Sequence, residues 1–208
     1  MKYILMCGGK YRKWEVPRHL TVIDGETIIG RTIRLLREEG ITDIAISTDN
    51  PVFEQFGVPL LKHKNSYDAN GYNDFSGYWC DAFYPTEDPA CYIFGDVFFS
   101  LDAIKTIVHT PTNDIELFAS APPFSPDYPK HSAEPFALKV QDQQLLKDAI
   151  TRVKRLDYCH AFKRKPIMWE LWQVIKNTPI NHIDYTNYTV INDFTCDIDD
   201  PEESDKWT

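Results

Sequence analysis

The opening stretch KYILMCGGKYRKWEVPR takes an apolar run, Tyr3 to Cys7, straight into Gly8-Gly9 and then gathers Lys10, Arg12, Lys13 and, behind Pro17, Arg18. Glycines let a backbone approach a ligand closely and aim N–H groups at it, and clustered cations neutralise the charge that remains, so this loop suits a polyphosphate. Two acidic stretches far along the chain, Gly95-Asp96 and Asp197-Ile198-Asp199, offer the hard oxygen donors that a divalent cation riding on a polyphosphate requires. On an extended backbone positions 197 and 199 face the same side, so both can address one ion. The plainer readings are a simple Gly-Gly turn with a solvated basic face, and an acidic run from Asp200 to Glu203 that opens a last helix, whose N-terminus favours negative charge.

These residues need a scaffold, and the apolar pattern describes one. Tyr3 to Cys7 reads as a strand buried on both faces, Thr27 to Gly40 as an amphipathic helix ending on a glycine, and Ile41 to Thr48 as a second buried strand, which is the plan of a βαβ unit. The alternation continues with a short strand near Val58 to Leu61, an aromatic helix near Tyr72 to Tyr84, a strand at Ala90 to Phe94, a helix at Leu101 to Val108 and a strand at Asp114 to Ser120. Four prolines in the ten residues from Pro122 to His131 make a semi-rigid loop. Beyond it a strand at Phe136 to Val140, helices at Asp142 to Val153 and Ile167 to Ile175, and a tail of short strands with a helix at Pro201 to Trp207 complete the chain. The expected architecture is a three-layer α/β/α sandwich with a mixed, mostly parallel central sheet, a single domain over residues 1–208 in which 121–190 form the acceptor side. In such sheets ligands collect beyond the carboxyl ends of the strands, where the loop after Cys7 stands.

Composition narrows the field. Twenty-two Lys and Arg against thirty-one Asp and Glu leave a formal charge of -9, which argues against a nucleic-acid surface but leaves room for a small anion held by a local basic loop. Five cysteines, Cys7, Cys80, Cys91, Cys159 and Cys196, show no CxxC pair and no metal-ligand spacing, and read as reduced, mostly buried thiols. The apolar run at the start is too short for a signal peptide or a membrane span, so the expected compartment is the cytoplasm. Neither Gly-Lys-Ser/Thr nor GxGxxG occurs, which sets aside a Walker-type ATPase and a dinucleotide-dependent dehydrogenase.

The residues resemble the nucleotidyltransferases that join a nucleoside triphosphate to a sugar phosphate or similar phosphorylated acceptor. That family opens on strand-Ala-Ala-Gly-x-Gly-x-Arg, then Pro-Lys, an Ile-x-Gly turn and a helix near an Arg-Thr pair. Here Ile4-Leu5-Met6-Cys7-Gly8, Arg12, Pro17-Arg18, Ile23-Asp24-Gly25 and Arg31-Thr32-Ile33 follow that order. Ile93-Phe94-Gly95-Asp96-Val97 looks like the family's metal-binding Gly-Asp, and Asp197-Ile198-Asp199-Asp200-Pro201-Glu202-Glu203 like its terminal Asp-x-Pro-Glu-Asp. The chain departs from the pattern at Met6 and Cys7, where alanines are usual, at Lys10 in place of the second glycine, and at Arg18 in place of lysine. Arginine keeps the charge but presents a fork rather than a point.

The resemblance implies displacement at the α-phosphorus: an acceptor phosphate attacks and pyrophosphate leaves, with catalysis by positioning and charge neutralisation. Asp96, Asp199 and Asp197 are the implied Mg²⁺ ligands, and Arg12 and Arg18 the cations on the leaving group. Gly8, Gly9, Lys10, Arg12, Lys13 and Arg18 form the implied nucleotide loop, with Gly71, Asn73 and Ser76 at the base. Where the family often has a lysine before a mid-chain proline, this chain has Glu134-Pro135, which suits an acceptor bearing hydroxyls or an ammonium. Lys130, Lys139, Lys163 and Lys165 are the candidate partners of its phosphate. The short spacing from Arg12 to Arg18 is similar to that of compact cytidylyltransferases and favours CTP. Two other readings compete: a glycosyltransferase using a nucleotide sugar, disfavoured because its Asp-x-Asp would follow a central strand, and a catalytically silent nucleotide-binding or regulatory domain, favoured by the altered glycine loop.

Overall fold

Lys2–Met6 forms strand β1, and the complete burial of Ile4 and Leu5 follows from strands on both sides of it. It pairs in parallel with β4 (Ile44–Ser47) and β6 (Ala90–Phe94), both buried along their whole length. The structure, a computed structural model, describes residues 1–8, 14, 16–62, 79–122 and 133–199.

Between β1 and β4 the chain makes a one-turn 3₁₀ segment at Arg18–Leu20 and a hairpin of β2 (Val22–Ile23) and β3 (Glu26–Thr27). The hairpin's two loop residues, Asp24 and Gly25, both have positive φ, 53° and 76°, the conformation in which a tight turn matches the twist of its strands and which Asp-Gly supplies readily. Helix α1 (Ile28–Glu38) starts on the side chain of Thr27, which accepts the Gly30 N–H at 3.1 Å, and stops before Gly40 at φ 79°. A 3₁₀ turn at Pro51–Phe56 leads from β4 to the edge strand β5 (Leu60–Leu61).

The described end of the expected aromatic helix is only a 3₁₀ turn, Trp79–Ala82; Pro85 follows closely and disfavours helical geometry in the residue before it. After β6 come β7 (Val97–Phe98), α2 (Leu101–His109), β8 (Ile115–Ser120), β9 (Pro135–Val140) and α3 (Gln143–Tyr158). Helix α3 runs past the expected Val153 because Leu146, Ala149, Val153 and Leu156 carry its apolar face on at helical spacing. Helix α4 (Met168–Ile175) and strands β10 (Thr189–Ile191) and β11 (Cys196–Asp197) end the described chain. Most of the expected helix at 72–84, the prolines after 122 and the closing helix at 201–207 lie outside the described residues.

The central sheet has seven strands in the order β10-β8-β9-β6-β1-β4-β5. All its pairings are parallel except those of β9, which runs against both β6 and β8. With α1 packed on α2 and α3 on α4, this is the mixed, mostly parallel α/β/α sandwich that the alternation of elements implied. Trp169 and Trp172 are buried in the main core, and Trp79 packs on Phe83 and Phe94 at its margin. Among the described residues no helix is long and apolar enough to cross a membrane.

A second, small core determines where the tail goes. Ile23 and Ile28 from the hairpin and α1 meet Phe98 of β7 and Ile198 of the tail, with Trp14 and Cys196 against them. Full burial of a side chain such as Ile198 contributes about 2 kcal/mol, enough to fix a two-residue strand that its own hydrogen bonds would not hold.

Candidate active site

Gly95 and Asp96 directly follow β6, and Gly8 lies two residues past the end of β1, so both stand beyond the carboxyl ends of neighbouring central strands. The Gly95 N–H donates to the Met6 carbonyl at 3.1 Å and carries the ladder one step past β6. Strand β11 then pairs antiparallel with β7, and the Ile198 N–H donates to the Asp96 carbonyl at 3.0 Å, which brings the tail alongside. Because Ile198 turns inward, Asp197 and Asp199 project to the other side.

Arg18 joins these segments. One of its terminal nitrogens donates to Asp96 Oδ2; the other donates to Asp199 Oδ1 at 2.6 Å and to the Ile198 carbonyl at 3.4 Å. Three residues drawn from three distant stretches of sequence thus meet at one guanidinium, which is itself buried. The Asp199 backbone is held as well: its carbonyl accepts from the Trp14 indole at 3.3 Å. Upstream, Asp193 accepts from the Ser100 hydroxyl at 2.5 Å and from the Thr195 N–H at 2.7 Å, tying the tail to the start of α2.

Glu134 serves this arrangement from the far side. Its N–H donates to Ser120 Oγ and its carbonyl accepts from the Ser120 N–H, both at 2.8 Å, and its carboxylate accepts the Asp197 N–H at 3.1 Å. The carboxylate assigned in sequence to the acceptor thus also braces β11, two residues before Asp199. Asp197 makes this contact through its backbone.

The lysines divide. Lys139 is corrected: it lies on β9 opposite Cys91, near the start of β6, and its buried ammonium donates to the Val108 and Thr110 carbonyls at 3.1 and 2.8 Å. Alternation along a strand shows which residues face inward but not at which end of the sheet they stand. There Lys139 caps the end of α2, away from Asp96. Lys165 pairs with Asp157 at 2.8 Å and Arg164 with Glu170 at 2.6 Å, so this cluster links α3 and α4 beside the exposed Lys163. Gly9, Lys10, Arg12, Lys13, Gly71, Asn73, Ser76 and Lys130 lie outside the described residues.

Two buried side chains line Asp96. Burial, and after it the nearby Asp96 carboxylate, pushes the Cys7 thiol well above its ordinary range, so it stays protonated. Burial brings the His19 imidazole down to about 4; Asp96 opposes this shift and Arg18 adds to it. His19 packs edge-on against Phe53, with ring centroids 5.8 Å apart, and its Nδ1 has no hydrogen-bond partner among the described residues. Both side chains are neutral at pH 7 and were missed in the sequence, where a lone Cys and a lone His carry no signal.

The His19 shift has a measurable consequence. Between the ordinary value of 6.5 and about 4 the unfolded chain binds a proton that the folded chain does not, so stability present above that window is lost as pH falls through it, on the order of 3 kcal/mol. The urea midpoint of wild type is expected to fall more steeply from pH 7 to pH 4 than that of His19→Phe. Equal slopes would show that the imidazole is hydrated in the folded protein.

The fold is that of the α/β nucleotide-diphospho-sugar transferases. The chain superposes on CTP:phosphocholine cytidylyltransferase (LicC) from Streptococcus pneumoniae with a TM-score of 0.53 and 15% identity, covering 99% of this chain and 96% of that one. HddC from Yersinia pseudotuberculosis, solved in complex with GMP-PN, gives 0.52 at 12% identity over 99% and 96% of the two chains. The inositol-1-phosphate CTP transferase from T. maritima gives 0.52 at 15% identity over 97% and 90%. No protein-family model and no curated protein sequence matches the chain.

Proposed function

We propose that the chain is a nucleotidyltransferase that moves a nucleoside monophosphate from a nucleoside triphosphate, CTP in the first instance, to a sugar phosphate or similar phosphorylated acceptor and releases pyrophosphate. The observation that carries this reading is the meeting of Arg18, Asp96 and Asp199 beyond the carboxyl end of β6. A shared fold with enzymes named for such transfers supports it.

The donor set fits Mg²⁺. Asp96 and Asp199 converge on one cation with hard carboxylate oxygens, and Mg²⁺ prefers one or two carboxylates plus phosphate oxygens and water to an all-protein cage. Among the described residues no group of three or more His, Cys, Asp and Glu forms such a cage. Asp96 and Asp199 would hold the ion, with Asp197 the third carboxylate of the set, and the ion would neutralise charge on the reacting phosphates.

The chain's own residues then position and neutralise. Gly8 admits the phosphates to the ends of β1 and β6. Arg18, with Arg12 from the glycine loop, meets the charge that builds on the departing pyrophosphate. The attacking acceptor is already an anion, so no side chain has to remove a proton from it, and the neutral Cys7 and His19 suit that economy. Gly71, Asn73 and Ser76 are assigned to the base and residues 121–190 to the acceptor side, with Lys163 and Lys165 as its cations; Glu134 braces the tail. The free cysteines and the need for nucleoside triphosphates suit the cytoplasm.

The test is a thermal-shift panel of the four common triphosphates with Mg²⁺, followed by pyrophosphate release against a set of phosphorylated acceptors. CTP is expected to give the largest shift, and pyrophosphate to appear only when the acceptor is present. Binding without pyrophosphate from any pair would replace this reading with the silent domain, and release of a nucleoside diphosphate from a nucleotide sugar would replace it with the glycosyltransferase.

A further inference from the structure

Arg18 is a departure from the lysine that its motif usually carries, and the structure shows what the fork does. Separate terminal nitrogens engage Asp96 and Asp199, two carboxylates contributed by segments about a hundred positions apart. A lysine ammonium is a single point and cannot match two carboxylates with two fixed donors. The Arg18 side chain is 6% exposed, whereas the Asp199 side chain is 63% exposed to solvent, from which a ligand would approach.

This geometry sets two conditions on any cation that enters. An ion arriving alone meets two carboxylates already engaged by Arg18, and to take them it has to strand a buried guanidinium, which is costly. An ion arriving on a triphosphate brings oxygens that can accept the same guanidinium, so each charge exchanges one partner for another. We propose that Arg18 makes this site take a divalent cation and a triphosphate together, as one ligand, and keeps the free cation out. The inference rests on the nucleotidyltransferase reading and extends it to the form in which the substrate binds.

The test needs no turnover. Mn²⁺ alone, without nucleotide, is titrated into wild type, Arg18→Gln and Arg18→Lys and followed by electron paramagnetic resonance, with circular dichroism to establish that each variant is folded. Removing an opposite charge at contact distance is expected to tighten Mn²⁺ binding in Arg18→Gln by about tenfold or more, with Arg18→Lys between it and wild type. Arg18→Lys also serves as the test if the glutamine variant does not fold. Adding Asp96→Asn to either variant is expected to remove the gained site. If Mn²⁺ binds wild type as tightly as the Arg18 variants but is lost with Asp96→Asn, the exchange is wrong and the metal assignment stands. If Asp96→Asn leaves Mn²⁺ binding unchanged in every background, the metal assignment falls and takes the exchange with it.

Discussion

Asp96→Asn is expected to lower pyrophosphate release by about three orders of magnitude, some 4 kcal/mol of transition-state stabilisation, in the substrate pair found by the panel. The substitution keeps the size of the side chain and leaves the Asp96 carbonyl free to accept the Ile198 N–H, so the tail stays in register. Arg18 retains Asp199 and the Ile198 carbonyl. What is lost is one negative charge at the end of β6, where a phosphate-bound cation would be held. Stability is expected to fall too, by up to about 3 kcal/mol, because the lost charge is one partner of a buried guanidinium that keeps only Asp199 and the Ile198 carbonyl. Steady-state pyrophosphate release together with a denaturation curve separates the two effects. A fall in rate smaller than tenfold in a folded variant would show that the Asp96 charge is not used in the reaction.

The legibility of this molecule follows the range of each interaction. β1, β4, β6 and α1 were readable because their signals are local: continuous apolar runs for strands buried on both faces, a helical stripe with Thr27 before it and Gly40 after it. The turn at Asp24-Gly25 was read through the resemblance, and its positive φ angles are those an Asp-Gly pair supplies readily. Strand β7 was not readable, and the tail was legible only as short strands without bounds, because two residues carry no periodicity; β7 and β11 are held by the core that Phe98 and Ile198 share with Ile23 and Ile28. Trp14, Glu134 and Asp193 position the tail through contacts that span most of the chain, and nothing in their own neighbourhoods marks them. Composition and spacing could suggest that Asp96 and Asp199 bind a cation, whereas their nearness to Arg18 rested on the resemblance alone. That the cation between them is arginine, gripping both, is a fact of three dimensions.

Gly95→Ala tests the other requirement of the site, the close approach of β1 and β6 at their ends. A Cβ built on Gly95 would lie 2.6 Å from Cys7 Sγ, 2.6 Å from the Met6 carbonyl oxygen and 3.0 Å from His19 Cδ2. The thiol can rotate, but the carbonyl cannot: it accepts the Gly95 N–H, and β1 is clamped between β4 and β6. Either the ladder opens at Gly95 or the strands shift, and overpacking of a buried position of this kind costs about 3 kcal/mol. Asp96 is the next residue, so the same shift carries its carboxylate off Arg18, and a displacement near 1 Å is expected to reduce pyrophosphate release about a hundredfold. Combining Gly95→Ala with Cys7→Ala removes the contact with the thiol and leaves the one with the carbonyl, so the double variant is expected to recover part of the lost stability and little of the activity. Urea denaturation and pyrophosphate release of the two single variants and the double variant measure this directly. A Gly95→Ala protein as stable and as active as wild type would mean that the two strand ends stand further apart than described, and that Asp96 is not placed by their contact.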